Sequence, residues 1–110
     1  MAQTLSVRDY LFTLLSKREY TVSEARTKLQ QKFPQDQNKV EETLTEFTKQ
    51  NWISDARFAE VFIKHQIITT KSGPQKIRDK CWLKGLDPLL VETQIEILFP
   101  LQDQLKKVQT

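Results

Sequence analysis

A chain of 110 residues, 38% hydrophobic and 28% charged, has room for one small domain or two helical modules. Seventeen basic against fourteen acidic side chains leave a net charge of +3, while a single cysteine excludes an intramolecular disulfide and a single histidine offers no metal cluster of the usual spacing. The apolar runs are too short to cross a bilayer and no charged-then-apolar leader is visible, so membrane insertion and secretion are set aside and a cytoplasmic location is expected.

Only two glycines and four prolines interrupt the chain, and its apolar residues recur at three- and four-residue spacing, which predicts an all-α fold. The first helix is predicted to open at Ser6, with Asp9 completing a capping box, to bury Val7, Leu11, Leu14 and Leu15, and to end over 17–19. Thr21 and Glu24 form a second capping box with Tyr20 and Ala25 as the flanking staple, so a second helix over 22–32 follows with Val22, Ala25 and Leu29 inward. Pro34 disfavours helix at Phe33 and restarts the chain as a third helix over 35–50 carrying Val40, Leu44 and Phe47 on one face.

After Asn51, Trp52 and Ile53 the order begins again. Ser54 or Asp55 caps a fourth helix to about Ile67 with Phe58, Val61 and Phe62 as its stripe, which sets a register of 47 positions against the first helix. Gly73 stands where Thr21 stood, Pro74 occupies a first turn that needs no amide, and a fifth helix carries Ile77 and Cys81 inward until Gly85 stops it. Asp87 and Pro88 open a sixth helix to about Leu98, with Val91, Ile95 and Leu98 repeating Val40, Leu44 and Phe47 at 51 positions. Pro100 closes the pattern, and 101–110 reads as a tail. The fifth helix repeats the second at 52 positions, and the change from 47 to 52 is expected to reflect a longer loop over 69–72. The pattern thus predicts two tandem three-helix repeats and six helices, over 6–50 and 54–99, with a tail over 100–110.

The charges are segregated along that frame. Net charge runs +3 over 1–32, −3 over 33–63, +5 over 64–85 and −2 over 86–110, so each repeat has a basic first portion and an acidic final helix. Lys76, Lys80 and Lys84, four residues apart, form one ridge beside the apolar stripe of the fifth helix; Lys28 and Lys32 repeat it on the second helix, with Glu24 in the place of Lys76 and Arg26 in that of Arg78. Such ridges either keep a helix face wet or meet a partner carrying phosphates or acidic patches. Trp82, about 100° around the helix from Cys81, either packs on the next helix or stands exposed beside Arg78 as an interface anchor. Trp52 is expected to wedge one unit against the other. Leu83, Leu89, Leu90 and Ile97 add more apolar surface than the stripes use, a hint of contact with another body.

Catalysis needs a nucleophile, a base and an orienting group, and one histidine, one cysteine and no glycine-rich phosphate loop do not supply them. His65 reads as a helix-end histidine and Cys81 as a small buried hydrophobe matched to Leu29. A non-enzyme without cofactor or metal is expected.

LLSKREYT at 14–21, SDARFAE at 54–60, GPQKIR at 73–78 and KGL at 84–86, in that order, resemble the signature segments of the RecX family, bacterial regulators of RecA recombinase. The resemblance covers about 7–98. It implies tandem three-helix repeats in a curved, elongated molecule lying in the groove of the RecA filament on single-stranded DNA, where it slows filament growth and damps ATP hydrolysis, strand exchange and the co-protease activity of the SOS response. Partner contact is then expected at Arg18, Arg26, Lys28, Lys64, Lys76, Arg78, Lys80, Trp82 and Lys84. Family members usually carry a third repeat, and they tend to have Lys-Gly where this sequence has Lys32 and Phe33. The competing function is a helical protein that meets DNA directly through its basic helices, since three-helix units resemble helix-turn-helix architectures.

Overall fold

Helices of about eleven residues are marginal in water, so three single-stripe helices must bury their stripes against one another. In the computed structural model they do so twice. The structure describes residues 6–108, with the side chains of 6–99. Among the described residues six α-helices follow in chain order: α1 (Val7–Lys17), α2 (Val22–Lys32), α3 (Gln37–Lys49), α4 (Asp55–His65), α5 (Pro74–Leu83) and α6 (Pro88–Val108), with a π-helical turn, Gln66–Thr70, extending α4. The fold is all-α, and the chain divides after Asp55 into two compact units.

The first unit starts as its caps dictate. Ser6 Oγ accepts the Asp9 amide at 3.1 Å; Thr21 Oγ1 accepts the Glu24 amide at 3.0 Å while Glu24 Oε1 accepts the Thr21 amide at 3.1 Å. Each such cap contributes on the order of 1 kcal/mol. Asp55, the last residue of this unit, takes the Val22 amide at 2.8 Å, so another open amide of the α2 N-terminus is satisfied. Val7, Leu11 and Leu14, then Ala25 and Leu29, then Val40, Leu44 and Phe47 close the core together with Tyr20 and Ile53, and Leu15, Val22 and Phe33 pack half-buried on its edge. At the end of α3, Asn51 turns into the left-handed region (φ 61°) and the Trp52 amide donates back to the Phe47 carbonyl at 2.9 Å. That reversal lays the Trp52 ring on Phe47 (centroids 5.1 Å apart) and on Phe12 (5.2 Å), both in the first unit.

The second unit is built on Phe58, Ala59, Ile63, Ile67, Ile77, Cys81, Leu86, Val91 and Ile95, with Phe62, Leu90 and Leu98 packed half-buried against them. This corrects the stripe of α4. Val61 is 62% exposed, and the buried line runs through Ala59 and Ile63 instead. Ala59 stands 52 positions after Val7, Ile63 after Leu11 and Ile67 after Leu15, so one register covers α1 with α4 as well as α2 with α5. No longer loop separates α4 from α5. The helical path continues through the π turn to Thr70, and Lys71, left-handed at φ 54°, swings the chain to the Gly73 cap. At its other end α5 stops as α3 does, with Gly85 at φ 76° and the Leu86 amide returned to the Cys81 carbonyl at 3.2 Å. α6 runs beyond the expected end at Leu98. Pro100 removes one amide from the ladder without ending it, since Leu101, Leu105 and Val108 keep helical spacing.

One polar clip recurs in both units. Arg26 forks onto Glu41 (Nε to Oε2 2.8 Å, Nη2 to Oε1 3.2 Å) and joins α2 to α3; Arg78 forks onto Glu92 (Nη2 to Oε1 3.0 Å) and joins α5 to α6. Bidentate geometry makes these, together with the Arg8 fork onto Glu46, the strongest of the exposed ion pairs. The hydrogen bonds hold Glu41 and Glu92 below the ordinary carboxylate value of 4.5 and raise both arginines.

Two expectations follow. A depressed carboxylate adds stability that is complete above about pH 4.5 and is lost as acid protonates the folded pair. Urea midpoints measured from pH 6 down to 2 should therefore fall less steeply for Glu41→Gln with Glu92→Gln than for the unsubstituted chain. For the glycines, Gly85→Ala forces a side chain into the left-handed region and should lower stability by about 1 kcal/mol. Gly73→Ser should raise it by a few tenths of a kcal/mol: the added Cβ meets nothing within 4 Å, and the hydroxyl supplies the cap that Thr21 supplies in the first unit. Chemical denaturation of both variants reads the two signs.

Candidate docking surface

Of the nine sequence-predicted contact residues, the eight cations fall into three physical groups. The arginines are all engaged with carboxylates: Arg26 and Arg78 in the clips, and Arg18 through Nη1 to Glu24 at 3.4 Å while its guanidinium lies 3.7 Å from the Tyr20 ring centroid. Their positive charge is largely compensated on the protein itself. Lys80 and Lys84 are half-buried and also occupied. Lys80 Nζ donates to Gln66 Oε1 at 2.6 Å, tying α5 to the π turn, and Lys84 Nζ sits 5.2 Å from the Phe62 ring and 5.5 Å from that of Phe58. The ridge 76–80–84 therefore exists as a line on α5, but two of its three lysines are held by the second unit's own core edge.

Lys28, Lys64 and Lys76 form the third group. They are exposed and make no ion pair among the described residues. Lys28 lies on the outer side of α2 and Lys76 in the first turn of α5. Lys64 lies in a shallow groove on the outer face of α4 beside Val61, His65 and Ile68, of which Val61 and Ile68 are 62% and 49% exposed. Sequence reasoning missed this face because Val61 was assigned to the core. Lys71 in the left-handed turn is another exposed cation, one that the ridge argument passed over.

Trp82 stands 71% exposed at the mouth of a cleft of about 220 Å³ between α5 and α6. Leu83 and Leu89 are exposed on the same two helices, and Ile97 further along α6. Leu90, in contrast, packs on the core. The polar centre of the second unit lies by the π turn, where buried Gln66 takes Lys80, Thr70 Oγ1 donates to the Gln66 carbonyl at 2.7 Å, and the Thr70 and buried Ser72 hydroxyls meet at 2.7 Å. A π turn inserts one residue into an α-helix, and here it brings these groups together.

Titratable chemistry is sparse. Cys81 is wholly buried, and desolvation pushes its thiol up to about 11, so it stays protonated and unreactive in the folded unit. His65 is exposed with Nδ1 3.3 Å from Thr69 Oγ1. No three His, Cys, Asp or Glu side chains converge on a metal position among the described residues, and no described helix is long and apolar enough to cross a membrane.

Known proteins share this architecture. Residues 54–93 match the family model described as RecX, second three-helix domain. The chain is 32% identical to the regulatory protein RecX of Haemophilus influenzae over 90% of its own length and 68% of the relative's. It is 37% identical to that of Mannheimia succiniciproducens over 82% and 56%, and 30% identical to that of Oceanobacillus iheyensis over 98% and 37%. The chain thus spans about a third to two thirds of the curated relatives' lengths. The crystal structure of RecX from Lactobacillus salivarius has the same fold, with a TM-score of 0.78 at 21% identity over 83% of this chain and 58% of that one. Two three-helix units with matching cores and this degree of likeness to the regulatory proteins show that the chain belongs to the RecX family.

Proposed function

We propose that this chain acts in the cytoplasm as a non-catalytic regulator that binds the RecA filament on single-stranded DNA and lowers its ATPase, strand-exchange and co-protease activities. The observation that carries the reading is family membership, through 32% identity to a regulatory protein RecX over two thirds of that relative. The physics is multivalent: tandem units offer several weak contacts to successive protomers of a filament, and these add through effective concentration without any reacting group. Lys28, Lys64 and Lys76, exposed and without carboxylate partners among the described residues, are the cations best placed to meet phosphates or acidic side chains. Lys80 and Lys84 contribute to the same ridge while also holding the second unit together, and Arg18, Arg26 and Arg78 act first as clips.

Charge reversal of Lys28, Lys64 and Lys76 to Glu should weaken co-sedimentation with RecA filaments by roughly tenfold or more and flatten its salt dependence, with helicity unchanged. The ATPase rate of preformed filaments should fall on adding the unsubstituted chain and recover with the variant. Equal retention on single-stranded DNA with and without RecA would instead support a direct DNA binder, and an unchanged ATPase rate at saturation would remove the regulatory reading.

A further inference from the structure

The two units provide an internal control for what the fold requires. They share buried positions and the Arg–Glu clip, with Arg78 at 52 positions from Arg26 and Glu92 at 51 from Glu41. Above that clip they differ. In the first unit the gap between α2 and α3 is polar: Gln30 Nε2 donates to Gln37 Oε1 at 3.3 Å, and Gln31 and Asn38 are exposed beside them. The same registers place Trp82 on Gln30, Leu83 on Gln31, Pro88 on Gln37 and Leu89 on Asn38. Where the first unit bridges its helices with two amides, the second leaves an open apolar cleft. Trp82, Leu83 and Leu89 are 71%, 84% and 78% exposed, so no described part of the chain covers them. Folding does not demand apolar residues there, because a unit of the same build does without them, and three large hydrophobics left in water are unfavourable unless another body takes them up.

The rim says what kind of body. The floor is Leu86 and Val91 and the walls are Trp82 and Pro88; around them stand Arg78, Glu92 and Asp79. Arg78 is neutralised by its fork onto Glu92. Asp79 accepts only the Gln75 amide, at 3.0 Å, and has no cation among the described residues, so the rim carries one uncompensated negative charge. A phosphate backbone is repelled at such a rim, and a bulky apolar side chain with a lysine or arginine beside it is complementary in both shape and sign.

We infer that the α5–α6 cleft of the second unit is a protein-docking pocket that takes an apolar side chain, with its neighbouring cation paired to Asp79, from the surface of a RecA protomer. This rests on the filament reading above. It separates the protein contact, through Trp82, from the exposed lysines. The first unit supplies the test residues, since Trp82→Gln with Leu89→Asn installs a surface this fold already carries at the equivalent place.

Binding is measured to RecA filaments assembled on single-stranded DNA across a salt series, with circular dichroism and thermal melting on each variant. The paired substitution should keep its helicity and melting, and lose about tenfold or more in affinity with the salt slope unchanged; Asp79→Thr, the first unit's residue, should lose less. Wild-type affinity in the paired variant overturns the pocket while leaving the filament reading intact. Absence of binding by the unsubstituted chain brings down that reading and the pocket with it. Loss of binding to DNA without RecA would make Trp82 a base-stacking platform, and conversion of a dimer to a monomer would make the occupant a second copy; either overturns the assignment.

Discussion

Each unit closes on the stripe of its middle helix, Ala25 and Leu29 in the first and Ile77 and Cys81 in the second, all wholly buried. A three-helix unit of this length has no second layer, so the middle helix must show its stripe to both neighbours at once. The neighbours are aligned around that contact. Val40, Leu44 and Phe47 approach Leu29's unit core from one side and Val7, Leu11 and Leu14 from another, and the second unit repeats the arrangement with Ile77 and Cys81 between Ala59, Ile63 and Ile67 and Val91 and Ile95. The caps, the left-handed reversals at Asn51 and Gly85 and the Arg–Glu forks all serve to deliver three short helices to that meeting point at the right length and angle.

What the two copies keep and what they change are therefore informative in different ways. Most buried positions are exchanged for other apolar ones, Leu29 for Cys81 and Leu44 for Ile95, and where a polar residue stands in, as Gln66 does for Leu14 and Ser72 for Tyr20, it is hydrogen-bonded. Solvent positions are released from this constraint. The first unit uses them for amides and carboxylates, and the second for tryptophan and leucines. The two frames match through most of the core, and the second departs from the first at the surface and around its π turn.

Much of this was legible in the chain before folding. The capping residues Ser6, Thr21 and Glu24 act over three residues, so their hydrogen bonds follow from local spacing. The α2 and α5 stripes followed too, because each has few apolar residues to choose among. α4 misled in part for the opposite reason: it offers more apolar residues than one stripe uses, and packing keeps Phe58 and Phe62, adds Ala59 and Ile63 and leaves Val61 outside. The π turn left no mark in periodicity, which carries helix to Ile67 and reads 69–72 as loop. The clips join residues about fifteen apart across a helix reversal and so lie beyond local spacing; the recurrence of Arg26 with Glu41 as Arg78 with Glu92 was the signal that could have revealed them. With both arginines taken as free cations, the basic ridges looked broader than the exposed lysines make them.

Cys81 gives the second unit a chemical reporter that the first lacks, since it is the only thiol in the chain. Wholly buried and protonated in the folded unit, it is out of reach of a maleimide or disulfide dye until α5 lifts from its neighbours. Labelling therefore times breathing of that half by itself.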